Sequence, residues 1–192
     1  MKRLLVLYCP LVLLVILSSC TTVTVNKPMG VTPLKLDADE WDGNWVEIHD
    51  GEWIDISKPD EIDGLPLKVM DAHEGILQLT VTEKNREQMV EIFLRRSGKW
   101  TFVSLKSEDE GDEEGYLWGR MKKEKNLIII WLPDPEEFAA LVKDGILPGE
   151  VGESGDVSLE DLDKGHYEMF STEEHGPLFV WDEPMIYYRL TE

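Results

Sequence analysis

The sequence predicts a mainly β domain: an antiparallel meander of about eight to ten strands, with one or two helices inserted before the last strands. Three observations predict it. From Trp41 onward, apolar and polar residues alternate over runs of strand length. Turn-forming dipeptides, Asp50-Gly51 and Ser97-Gly98, punctuate those runs. The period changes once, at Asp134, where a capping residue, a proline and a terminal glycine frame an amphipathic stretch.

The elements follow in order. Strands are expected at 44–49 and 52–56, joined by Asp50-Gly51, and a shorter one at 67–70. Ile76 to Thr82 alternates cleanly, with Leu77, Leu79 and Val81 on one face and Gln78, Thr80 and Thr82 on the other. Runs at 88–95 and 99–105 flank Ser97-Gly98. Strands at 116–121 and 127–132 come next, with Lys122 to Asn126 reading as a charged turn. Asp134 is a good N-cap, Pro135 suits the first helical position and Glu137 stands three residues after the cap. Phe138, Leu141 and Val142 form one apolar face, and Gly145 is placed as a left-handed terminator with Ile146 folding back. A second helical stretch is expected between Ser158 and Glu174, with Ser158 and Asp161 as its capping pair. Strand character returns at 177–181 and 185–190. An antiparallel sheet this large must manage its edges, and closing into a barrel does so.

The first residues carry different information. Lys2 and Arg3 precede an apolar run from Leu4 to Leu17, too short to span a bilayer. Leu17-Ser18-Ser19-Cys20 then resembles the lipobox of bacterial lipoproteins at each position. The resemblance implies a signal peptide over 1–19, diacylglycerol on the Cys20 sulfur, cleavage before Cys20 and acylation of the new amino end. Several acyl chains make membrane release negligible, since each buried CH₂ contributes ~0.8 kcal/mol. In Gram-negative relatives of this class, Asp after the lipidated cysteine retains the protein at the inner membrane. Thr21 therefore implies the outer membrane, facing the periplasm, if the source is Gram-negative. Residues 20–40 hold Asn26, Pro28, Gly30 and Pro33 with little periodicity, and are expected to be the lipidated end and a flexible tether. Residues 41–192 are expected to be a single barrel-like domain.

The chain of 192 residues has 39 acidic and 19 basic side chains, a net charge of −20. That balance disfavours nucleic acid and anionic headgroups as partners. Of the two cysteines, Cys9 leaves with the signal and Cys20 carries lipid, so the domain keeps no thiol for a disulfide, a nucleophile or zinc. Stability must come from core packing, for which seven Trp are available.

Gly43-Asn44-Trp45 opens the first expected strand and Arg189 lies in the last. In this the chain resembles lipocalins of the calycin superfamily, whose first strand opens on Gly-x-Trp and whose last strand places a basic residue over that tryptophan. The resemblance implies a lipocalin-like barrel with one end plugged by Gly43, Trp45 and Arg189, the guanidinium stacked on the indole. Two features depart from the family: the acidic–arginine turn between the middle strands is not evident, and the insertion before the last strands is long.

Catalytic patterns are missing. His49, His73, His166 and His175 make no metal-binding spacing, and there is no nucleophile elbow, Ser-x-x-Lys pair or Gly-rich phosphate loop. The acidic run Glu108 to Glu114 lacks the spacing of a calcium loop and reads as a solvated connection. The chain reads as a non-enzymatic protein without metal or cofactor. Two function classes stay open. One is a lipid-anchored binding protein with a small apolar ligand in the barrel. The other is a structural or interaction lipoprotein, an envelope assembly factor or an inhibitor, with a solid core and a basic protein partner.

Overall fold

The computed structural model describes residues 21–48, 65–83, 86–106, 115–172 and 176–190. Eight strands form a closed antiparallel barrel: β3 (Gly43–Ile48), β4 (Leu65–Asp71), β5 (Ile76–Glu83), β6 (Arg86–Ser97), β7 (Trp100–Lys106), β8 (Tyr116–Glu124), β9 (Leu127–Trp131) and β12 (Met185–Arg189). Strands β3 to β9 pair as sequential neighbours from β3 through β9. The last strand, β12, inserts between β3 and β9 and completes the wall. This is the mainly β barrel that the alternation predicts, and the expected closure of first strand on last is present. The hairpin expected at Asp50-Gly51 and the strand at 52–56 lie outside the described residues.

Side-chain parity divides the wall into two faces. Inward-facing Trp45, Leu77, Leu94, Met121 and Ile128 are buried and pack as one cluster. Outward-facing Phe102, Trp118 and Arg120 are also buried, because a second layer covers that side. The cover contains β1 (Val23–Val25), β10 (Gly149–Val151), β11 (Val157–Leu159), α2 (Pro135–Lys143) and α3 (Lys164–Thr172). β8 serves both parts: its residues 120–124 pair with β9, while Tyr116 and Leu117 pair with β1. Gly119 lies where β9 crosses close to β8; a Cβ there would stand 2.8 Å from Ile130 Cγ2.

The segment expected to be a flexible tether is part of the fold. β1 runs parallel to β11, and β2 (Thr32–Pro33) adds to β6. Val23, Val25, Met29 and Leu36 are buried, and the Met29 amide donates to the Ser104 hydroxyl at 2.8 Å. The physical reason is that each piece borrows its backbone partners from the barrel wall, so no internal periodicity is needed.

Helix α2 forms as its signals require. The Asp134 carboxylate accepts from the amides of Glu136 and Glu137. Gly145 takes φ +70°, its amide donates to Val142, and the Ile146 amide reaches back to Leu141, which is a Schellman closure. The apolar contact after the glycine differs from expectation: Ile146 is 51% exposed, and Leu147 is the buried residue at 2%. The second helix also differs. β11 occupies its expected start, and α3 begins after Asp163, whose carboxylate and amide bond reciprocally with the amide and Nδ1 of His166. Residues 177–181 make a single bridge, Phe179 to Pro133, in place of a strand.

Candidate functional site

The barrel has one sealed end. The chain reaches β3 through the short helix α1 (Ala38–Trp41), capped by Asp37, which lies at that end. Trp45 is fully buried, and its indole N–H donates to the Trp41 carbonyl at 3.0 Å. Arg189 is the direct cross-strand partner of Trp45. Its guanidinium donates to the Asp39 carbonyl at 2.8 Å and to the Asp42 carbonyl, and it passes over Gly43, where a Cβ would stand 3.0 Å from Nε. Gly43, with φ +142°, therefore leaves the room the arginine needs. The structure brings Gly43, Trp45 and Arg189 together, but the expected stack of guanidinium on indole is not formed. No cation lies over the Trp45 ring among the described residues, because Arg189 instead satisfies carbonyls at the end of α1, where the helix leaves acceptors without intrahelical donors.

A cavity of about 580 Å³ opens at this end, bordered by Trp41, Met121 and Leu34 below and by charged side chains around them. Lys35, Arg96, Lys123, Lys125 and Arg189 supply five cations against the carboxylates of Asp39 and Glu40. Lys123 is the most covered of the paired lysines: its Nζ donates to the Lys125 carbonyl, lies 3.8 Å from Glu40 and stands 5.0 Å from the Trp41 ring centroid.

Toward the opposite end, several inward side chains are less covered. Val90, Leu105 and Leu117 face inward by parity there and are partly buried, while Ile92 and Val103 pack on the Trp45 cluster. Tyr187 lies inward between these levels. Burial, with the Glu47 carboxylate next in importance, pushes its phenol far above the ordinary range, so it stays neutral. The connections 49–64, 84–85 and 107–114 leave from this end of the strands and lie outside the described residues, as do His49, His175 and the acidic run.

The guanidinium–aromatic contact expected at Arg189 occurs at Arg120, on the outside of the wall. Arg120 is 0% exposed and stands 4.3 Å from the Trp100 ring, 4.2 Å from Phe179 and 5.2 Å from Trp181, and it donates to the Phe170 carbonyl. Trp118 beside it meets Phe102, Phe138, Phe170 and Phe179 at centroid distances of 5.6 to 6.1 Å.

Among the described residues, no three His, Cys, Asp or Glu gather as a metal site, and no helix is long and apolar enough to cross a membrane. Cys20 lies outside the described residues. Comparison of the chain with protein-family models, curated proteins and solved structures finds no match.

Proposed function

We propose that the chain is a non-enzymatic envelope lipoprotein, anchored by lipid on Cys20, whose barrel takes up a small apolar ligand through the end opposite α1. The observation that carries this reading is the contrast within the lumen. Trp45, Leu77, Leu94, Met121 and Ile128, with Ile92 and Val103 packed on them, fill one level, while Val90, Leu105 and Leu117 are only partly covered beyond it. Apolar side chains left accessible inside a barrel favour a ligand that would cover them. Tyr187 and Glu47, cross-strand partners on β12 and β3, bring a phenol and a carboxylate to the inner face. The anchor fits the fold, since backbone contacts begin at once after the lipidation position: the Thr22 amide donates to Asp156 at 2.7 Å. A barrel held so close to its lipid has little slack, and a ligand drawn from the membrane has a short path.

The test uses the full chain purified in detergent. Native mass spectrometry should find a co-purifying apolar molecule, and Leu105→Trp, which fills the lumen, should remove it. Absence of any such molecule, together with capture of a basic protein, would favour the structural or interaction reading instead. The anchor is tested separately. Cys20→Ala should abolish incorporation of radioactive fatty acid, and undiminished labelling would refute the lipidation.

A further inference from the structure

We propose that the sealed end of the barrel is a second binding site, for a small organic anion with a carboxylate or phosphate head and a compact apolar body. The chain is short of cations, with 19 basic against 39 acidic residues, yet five of the 19 border one cavity. They come from four separate parts of the chain: Lys35 from the segment before α1, Arg96 from β6, Lys123 and Lys125 from β8 and its turn, and Arg189 from β12. The topology, not a local run of charge, gathers them.

Their local pairing leaves the charge uncompensated. Glu40 stands 3.8 Å from Lys123. Lys35, Arg96 and Lys125 have no ion pair among the described residues. Arg189 is held by neutral carbonyls, which fix its position without cancelling its charge. Grouped like charges cost free energy that an incoming anion relieves. Arg96, with its guanidinium free of ion pairs, offers the fork that carboxylate and phosphate accept in bidentate fashion. Lys35 and Lys125 supply exposed point charges, while the partly buried Arg189 and Lys123, held by backbone carbonyls, add a fixed field.

The floor decides the rest of the ligand. Trp41 and Met121 are already buried there, and the partly covered Leu34 beside them gives a ligand a small apolar contact next to the cations. The volume of about 580 Å³ falls within the range of small-molecule sites. An aromatic or short aliphatic body against Leu34 and the rim of Trp41, with its head toward Arg96, uses both parts of the cavity. This site lies at the other end of the barrel from the proposed lumen and does not depend on it.

The experiment uses the full chain in detergent micelles and three probes of similar size: benzoate, phenyl phosphate and, as neutral control, benzyl alcohol. Calorimetry gives the affinities, and the Trp41 indole resonance reports the place. At least one anion should bind and shift that resonance, and benzyl alcohol should bind ten-fold or more weakly. The triple variant Lys35→Gln, Arg96→Gln, Lys125→Gln changes exposed side chains only. It should weaken the anion about ten-fold or more, because a charge-assisted hydrogen bond is worth roughly that factor. Raising the salt should weaken the wild type and affect the variant little. Equal binding of the neutral control, no binding of either anion, or an unchanged triple variant would overturn the inference. If Leu105→Trp abolishes anion binding while the triple variant keeps it, the anion sits in the lumen, and this site is refuted while the lumen reading stands.

Discussion

Replacing Arg120 tests how the outer layer holds the barrel. The guanidinium is fully buried among Trp100, Phe179 and Trp181, and it donates to the Phe170 carbonyl of α3. Arg120→Ala removes a long stem and leaves a cavity, which for large buried side chains costs about 2–5 kcal/mol. It also removes a desolvated cation–aromatic contact of about 2 kcal/mol and leaves a carbonyl without this charged donor, about 1–3 kcal/mol. Against these stands the desolvation of the guanidinium, several kcal/mol, which the variant no longer bears. The expected net loss is about 3–5 kcal/mol, a large share of a typical domain's stability of about 5–15 kcal/mol. Arg120→Met keeps the stem volume and drops the desolvation cost, so it should lie within about 2 kcal/mol of wild type. Arg120→Lys keeps a buried charge but not the flat face, and should fall between Met and Ala. Urea unfolding followed by tryptophan fluorescence measures the series. A lysine variant as stable as wild type, or a methionine variant as unstable as alanine, would refute the sandwich as the source of the stability.

Two further outcomes are expected. Gly145→Val should cost about 1 kcal/mol in urea melts; a Cβ there meets nothing within 4 Å, so the whole cost is the left-handed backbone, and equal stability would show that the helix end does not depend on it. The Asp156 carboxyl is held below the ordinary 3.8 first by the Ser154 hydroxyl and then by the Thr22 amide. A depressed carboxylate contributes stability that is present above its ordinary value and lost as pH falls through the folded one. Proteolysis near β1 should therefore rise on acidification below about pH 4, and Asp156→Asn should flatten that pH dependence.

How much was legible in the sequence follows from what each element needs. The barrel strands carry their own evidence, because one face of each meets the lumen and alternation records it. Helix α2 is local as well: Asp134, Pro135 and Gly145 act within a turn of themselves. The pairing of Trp45 with Arg189 could be anticipated because closure forces first strand onto last. What Arg189 does there could not, since its carbonyl acceptors come from α1, a four-residue helix with no periodic signal. β1, β10 and β11 are three residues each and exist only through one another and β8. Arg120 shows the limit most clearly. In β8, Trp118 and Arg120 alternate with Leu117, Gly119 and Met121, so both faces look suited to burial. A charged residue in such a run is assigned to solvent unless its cover is known, and here Phe170, Phe179 and Trp181, far along the chain, supply much of it. The cationic cavity was hidden for the same reason: its members are spaced along the whole chain.

The two cores bear on whether this barrel has room for the proposed ligand. An eight-stranded barrel is just wide enough for its own side chains to fill it, and most of its stability then depends on that filling. Here the wall is also clamped from outside. Trp118, Phe102, Phe138, Phe170 and Phe179 bury a large aromatic surface against β7 and β8, and β1, β10 and β11 extend the sheet on that side. Stability supplied there need not be supplied within. On the proposed function, lumen residues such as Leu105 and Leu117 would then be free to serve a ligand instead of packing. Two cavity-making changes should therefore differ. Phe138→Ala, in the outer core, should cost about 3–5 kcal/mol, while Leu105→Ala, at a half-covered lumen position, should cost under about 2 kcal/mol. Equal losses in urea unfolding would mean that the lumen is packed as tightly as the outer layer, and that the barrel is a solid scaffold.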